Sequence, residues 1–202
     1  ATGKEIWRRQ MQGTMGGRGM NYWENPDRPD RRLLFIAGGY LTAINAQTGK
    51  WFTWVHVYDP HEPYQPPGEF ATRFASDPYL GEVSWTDAAL GPLFDRLRGL
   101  NRPTLVVVTG DHGESLGEHG ERTHSLFAYE ATLKVPLVVW CGGVVRPGRS
   151  AEPVRHVDIA PTILAAAGVA KPAGWPGETL FPPAAVRRPS YFESYSTAYN
   201  RG

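Results

Sequence analysis

An aspartate and a histidine stand side by side at Asp111-His112, within the string Thr109-Gly-Asp-His-Gly-Glu-Ser-Leu-Gly-Glu-His119. Such a pair offers one hard carboxylate oxygen and one imidazole nitrogen, a usable combination for a divalent cation. Gly110 and Gly113 flank the pair and let the backbone turn sharply enough for both side chains to face one ion. An isolated Asp-His pair is usually a solvated loop feature. Here the glycines, the preceding strand and the trailing His119 and His124 favour the metal reading.

The element that must carry the pair is Thr104-Leu-Val-Val-Val108, a short apolar run rich in β-branched residues. It reads as a strand buried on both faces, with the pair at its carboxyl end, where ligands of α/β sheets collect. Upstream, Phe52 to Tyr58 reads as an apolar strand ending in the Pro-stiffened loop Asp59-Pro-His-Glu-Pro-Tyr64. Residues 80–99 are expected to form an amphipathic helix with Val83, Ala88, Leu90, Leu93, Phe94 and Leu97 on its apolar stripe and Gly99 as its stop. Downstream come a short helix from Ser125 to Thr132 and a strand from Pro136 to Trp140. A helix over Val157 to Ala167, with Asp158 as its cap, stops at Gly168. The Pro- and Gly-rich tail from Ala170 reads as loop, with Ser190 to Glu193 a last strand. Strands alternating with helices imply a largely parallel sheet.

These residues carry a resemblance. Gly110-Asp-His-Gly-Glu-Ser-Leu-Gly-Glu-His119, Thr123-His124, Tyr129-Glu130 and Leu133-Lys-Val-Pro-Leu137 resemble the second half of a sulfatase catalytic domain. Trp54-Val-His-Val-Tyr-Asp-Pro-His-Glu-Pro-Tyr64 and His156-Val-Asp-Ile-Ala-Pro-Thr162 extend the match over roughly residues 52–200, within an incomplete α/β domain at 51–202. The resemblance implies part of an alkaline-phosphatase-like α/β sandwich that hydrolyses sulfuric esters, small-molecule or glycan, with Ca, Mg or Mn as cofactor. It makes Asp111 and His112 the later half of a metal site. It also places His61 near the ester oxygens, where a pKa of ~6.5 suits leaving-group protonation, and His124 as a contact to the sulfuryl group. His119 is then a loop residue closing over the metal, and Glu114 and Glu118 support or cap rather than ligate. The implied formylglycine nucleophile, made within Cys-x-Pro-x-Arg (or Ser for Cys), and two upstream metal-binding Asp have no counterpart here. Catalytic incompleteness is therefore expected. Lipid A phosphoethanolamine transferases share the Asp-His-Gly-Glu-Ser-Leu-Gly-Glu string, so transferase and phosphodiesterase chemistry stay open.

Residues 1–50 read differently. Thr2-Gly3-Lys4 followed by Trp7 recurs as Thr48-Gly49-Lys50, near the ~40–50-residue period of a propeller blade. Arg31 to Ile36 and Tyr40 to Asn45 read as short strands around Gly38-Gly39. The segment resembles one all-β blade of a pyrroloquinoline-quinone-dependent dehydrogenase, which implies a place for Arg18 near the quinone carboxylates. One blade buries its faces only against neighbours and cannot close a cofactor pocket, so quinone binding is not expected. A gene-level fusion or an assembly artefact would each produce such a join. A quinoprotein dehydrogenase fragment and a non-catalytic fusion product remain the alternatives from other classes.

Composition narrows the partners. Net charge is +1, which argues against nucleic acid, because phosphate backbones need a concentrated basic face. The 1–50 stretch holds eight Lys/Arg against four Asp/Glu, and the remainder thirteen against sixteen with all six His, an asymmetry consistent with two origins. The one cysteine, Cys141, excludes an internal disulfide and reads as a buried strand-end thiol. No apolar run reaches the ~18–20 residues of a membrane span, and the opening Ala-Thr-Gly-Lys-Glu does not resemble a signal peptide. Relatives of both segments are often exported or periplasmic.

Overall fold

The computed structural model describes residues 15–24, 31–37, 40–45, 51–181 and 189–192. The chain divides into two compact units, residues 1–86 and 87–202.

In the first unit, four strands form an antiparallel meander: β1 (Met15–Glu24), β2 (Arg31–Ala37), β3 (Tyr40–Asn45) and β4 (Trp51–Trp54). The alternation of β3 is visible in its burial. Thr42 and Ile44 are buried, while Ala43 and Asn45 are only half-buried, as a strand with one covered face requires. The strands anticipated at Arg31 and Tyr40 form at those positions. The strand anticipated from Phe52 to Tyr58 is shorter and stops at Trp54. It pairs with β3, Thr42 opposite Thr53 and Ala43 opposite Phe52, so position 51 interrupts no sheet. His56, which falls within the anticipated strand, lies beyond its end and is exposed. The repeats at residues 2–7 and 48–50 lie outside the described residues.

After the loop at 59–68 come α1 (Glu69–Arg73) and α2 (Pro78–Arg98), the latter close to the expected helix. Leu90, Leu93, Phe94 and Leu97 are half-buried as the stripe requires, but Val83 and Ala88 are exposed. The residues α2 buries are Gly81 and Glu82. A Cβ at position 81 would press into the Pro66 ring, so the glycine lets α2 lie directly against the 59–66 loop.

The second unit is built on β5 (Leu105–Thr109) and β6 (Leu137–Cys141), joined through α3 (Glu130–Leu133) and followed by α4 (Ile159–Ala166). The two strands run antiparallel, Leu105 facing Cys141 and Thr109 facing Leu137. Both sheets are therefore antiparallel among the described residues, which corrects the expectation of a largely parallel one. The connection between β5 and β6 carries a four-residue α-helix in place of the long crossover helix of a βαβ unit, and it returns the chain to the end of β5 that it left, with Thr109 opposite Leu137. Nor is β5 buried on both faces: Val108 and Thr109 are exposed, because a two-stranded ribbon has few neighbours to cover it.

The helix expected from Ser125 begins only at Glu130, and Ser125 itself has a φ of 95°, which no α-helix accepts. The helix expected over Val157 to Ala167 forms as a 3₁₀ turn at His156–Asp158 followed by α4. It ends at Gly168, whose φ of 72° favours glycine. Asp158 makes no capping bond to α4. Its carboxylate turns to Arg155 and to the amide of Glu178 instead. Residues 189–192 form no strand, while Cys141 closes β6 as a buried free thiol. Buried polar side chains dominate the interior of this unit: Ser115, Glu121, Thr132, Asp158 and Thr162. Each is matched by backbone or side-chain partners, which burial of a polar group demands.

Candidate functional site

Strand β5 delivers Asp111 and His112 to its carboxyl end, immediately past Thr109. The His112 amide donates to Asp111 Oδ1 at 3.1 Å, which folds the carboxylate back toward the imidazole. Asp111 Oδ2 then lies 3.8 Å from His112 Nε2. His112 Nδ1 sits 2.9 Å from the Gly113 carbonyl oxygen. A carbonyl only accepts, so Nδ1 carries a hydrogen, and Nε2 is the ring nitrogen that faces the aspartate. Both side chains are open to solvent, 84% exposed for Asp111 and 44% for His112.

The backbone on either side of the pair is held. The Gly113 amide donates to the Thr132 carbonyl at 2.8 Å, tying the turn to α3. A Cβ at this position would overlap the Ala131 carbonyl oxygen, so only glycine fits. On the other side, the Gly110 carbonyl accepts from His156 Nε2 at 2.9 Å and from the Thr109 hydroxyl at 3.1 Å.

His124 joins this group from the following loop. Its ring lies 4.1 Å from that of His112, centroid to centroid, at an angle of 34°. Its Nδ1 is 3.1 Å from Glu114 Oε1, and both side chains are largely buried, 19% and 7% exposed. Glu114 thus orients the imidazole, and Glu121 shapes the loop below it by accepting from the amides of Leu126 and Phe127. Glu118 accepts from the Leu116 amide and the Ser115 hydroxyl. Backbone hydrogen bonds, from its own amide first and then Leu116, hold its carboxyl below the usual glutamate range. His119, at φ 57°, stacks on Tyr129 at 3.8 Å. Among the described residues, no group of three or more His, Cys, Asp or Glu side chains is arranged to hold a metal ion.

His61 belongs to the first unit. Its ring stacks on Tyr58 at 4.3 Å, and its Nδ1 approaches the Glu62 carbonyl at 2.6 Å and the Tyr58 hydroxyl at 3.0 Å. Its amide donates to the buried Glu82 carboxylate of α2 at 3.0 Å, and Gln65 gives its amide to the same carboxylate. Sequence reasoning missed Glu82, because a glutamate within a polar-and-apolar helix pattern gives no sign of burial. It also missed the reach of His156 to Gly110, a contact across 46 positions with no local signature. Arg18 lies on β1, in the irregular stretch between Met15 and Met20, and its side chain is outside the described residues.

Comparison with known proteins supplies the family. The sulfatase family model matches residues 10–169. The chain is 37% identical over 106 residues to arylsulfatase K of Bos taurus, covering 52% of this chain and 19% of that protein. It is 32% identical over 128 residues to the N-acetylglucosamine-6-O-sulfatase of Bacteroides thetaiotaomicron, covering 58% and 23%. An extracellular sulfatase SULF-1 homolog of Drosophila melanogaster is 30% identical over 123 residues, covering 60% and 11%. The matched stretch spans less than a quarter of each of these relatives. No solved structure matches. The family match takes in residues 10–50, so the quinoprotein-blade resemblance and its quinone cofactor gain no support from it. The chain belongs to the sulfatase family, whose α/β domain is of the alkaline-phosphatase-like class and whose members generally use a divalent metal.

Proposed function

We propose that this chain supplies the Asp-His half of the metal centre and part of the ester-binding wall of a metal-dependent sulfuric ester hydrolase. The observation that carries the proposal is the convergence of Asp111, His112 and His124 past the carboxyl end of β5. The donor set suits a cation. Ligand bonds of ~2.1 Å in tetrahedral or octahedral arrangement place neighbouring donor atoms ~3.0–3.4 Å apart, and Oδ2 and Nε2 stand at 3.8 Å with the lone pair of Nε2 available. Such an ion, when bound, neutralises charge developing on the ester oxygens.

The chain's own residues supply the rest. The Gly113 carbonyl keeps His112 in the tautomer that leaves Nε2 basic. Glu114 fixes His124 through Nδ1, and this oriented ring is the candidate contact to the sulfuryl group. By the family resemblance His61, whose Nδ1 is turned to the Glu62 carbonyl, is the candidate proton donor to the leaving group. A sulfate ester on a small molecule or glycan is the substrate class, in keeping with the N-acetylglucosamine-6-O-sulfatase among the relatives. The extracellular relative supports export of the whole protein.

These 202 residues contain no Cys-x-Pro-x-Arg string, and Cys141 is buried at the end of β6. Without an activated nucleophile the difficult step is not divided into two easier ones. The purified chain with Ca²⁺, Mg²⁺ or Mn²⁺ is therefore expected not to turn over an aryl sulfate or an aryl phosphodiester. It is expected to bind 4-nitrophenyl sulfate in a Mn²⁺-dependent way that Asp111→Ala abolishes and His124→Ala weakens. Binding indifferent to both substitutions would refute the site, and metal-dependent multiple turnover lost in Asp111→Ala would refute the incompleteness.

A further inference from the structure

The Asp-His pair is exposed, and the contacts that orient its two side chains are local: the His112 amide to Asp111, the Gly113 carbonyl at His112 Nδ1 and the neighbouring His124 ring. Its geometry must come from the backbone at Gly110 and Gly113. Gly113 is anchored by α3. Gly110 is anchored by a residue far along the chain, His156, at the 3₁₀ turn that leads into α4. We infer that His156 is a positioning residue, whose Nε2–H holds the Gly110 carbonyl and thereby fixes the turn that presents Asp111 and His112. The inference rests on the metal reading of that pair.

Three observations carry it. First, the contact at 2.9 Å is of hydrogen-bond length, and because the carbonyl oxygen can only accept, His156 must carry hydrogen on Nε2. Second, the Thr109 hydroxyl donates to the same oxygen and lies 3.5 Å from Nε2, so the end of β5 is gathered around one acceptor. Third, the turn is tight: a Cβ at Gly110 would come within 3.0 Å of the His112 carbonyl oxygen. Rotation of the 110–111 peptide would release the His156 contact and swing Asp111 away from His112. The base of His156 is itself secured, because the next turn is locked by the Arg155–Asp158 pair. His156 therefore transmits the position of α4 to the metal loop through one bond, and touches neither ester nor ion.

The test uses the full chain with His156→Ala and His156→Gln, the latter keeping an N–H donor of similar reach. Amide hydrogen exchange at His112 and Gly113 in metal-free protein reads the turn, and Mn²⁺ binding reads the site. His156→Ala is expected to speed exchange at both amides about five- to tenfold, the loss of about one hydrogen bond. It should weaken Mn²⁺ binding by a similar factor, while His156→Gln restores most of both. A merely structural histidine would instead lower the melting temperature and speed exchange throughout α4 and β6, with no selective effect at 110–113. Exchange at His112 and Gly113 unchanged in His156→Ala, or no rescue by His156→Gln, overturns the inference. Asp111→Ala separates the two failures: if Mn²⁺ affinity ignores Asp111, the metal reading falls and this role with it. If it depends on Asp111 but not on His156, only the positioning role falls.

Discussion

Removing the Asp158 carboxylate tests how the second unit is held together. Asp158 is 2% exposed and accepts hydrogen bonds from Arg155 Nη2 at 2.8 Å, Arg155 Nε at 3.1 Å and the Glu178 amide at 2.8 Å. Arg155 is only 15% exposed at its side chain, and its guanidinium is held above its ordinary pKa by the hydrogen bonds to Asp158. In Asp158→Ala the Glu178 amide loses its carboxylate acceptor, and a largely buried guanidinium loses its counter-charge and keeps the neutral Pro189 carbonyl as an acceptor. Breaking a buried pair from one side costs about 3–5 kcal/mol. The partial exposure of Arg155 lets water reach part of it, which favours the lower end, about 3 kcal/mol. With a urea slope of about 2 kcal/mol/M, the unfolding midpoint should fall by about 1.5 M. Removing both partners, as in Arg155→Met with Asp158→Leu, should cost less than Asp158→Ala alone, because no uncompensated charge remains. The same comparison at 1 M NaCl should change little, since a buried pair is poorly screened. Urea unfolding followed by circular dichroism measures all three. A midpoint for Asp158→Ala within about 0.3 M of the parent would refute the reasoning. So would a double variant less stable than either single one, which would show that the pair's own attraction dominates its burial cost.

Further expectations follow from the same geometry. Gly113→Ala should break the turn, because its Cβ meets the Ala131 carbonyl oxygen; a loss of about 2–3 kcal/mol in urea unfolding and of Mn²⁺ binding is expected. The Glu118 carboxyl, depressed by backbone hydrogen bonds, should titrate below the ordinary glutamate value in an NMR titration. Its folded value lies below its unfolded one. The bond to Leu116 is therefore fully present above the unfolded value and is lost as pH falls through the folded one, seen as faster exchange at the Leu116 amide. Glu114→Gln should leave the fold intact and broaden the His124 ring signals, because the carboxylate that orients Nδ1 is replaced by a weaker partner.

Much of the site was legible in the sequence because its chemistry is local. Asp111, His112 and their glycines lie within four positions, and β5 is announced by three consecutive valines, so both can be recognised without knowing any distant contact. The helix at 78–98 and the strands at 31–37, 40–45 and 137–141 follow from periodicity and β-branching in the same way. The direction of the β5–β6 pairing was not legible. It depends on the path of the intervening 27 residues, which the positive φ of Ser125 and the amides gathered by Glu121 fold into loops rather than a crossover helix. Burial of Glu82, Glu114 and Asp158 was equally hidden, because a charged residue reads as solvated until its amide, imidazole or guanidinium partners are brought to it from 17 to 21, 10, and 3 or 20 positions away. The sequence by itself determined which groups could do chemistry. Only the tertiary structure decided which of them are held still, because that depends on hydrogen bonds closed between residues far apart in the chain.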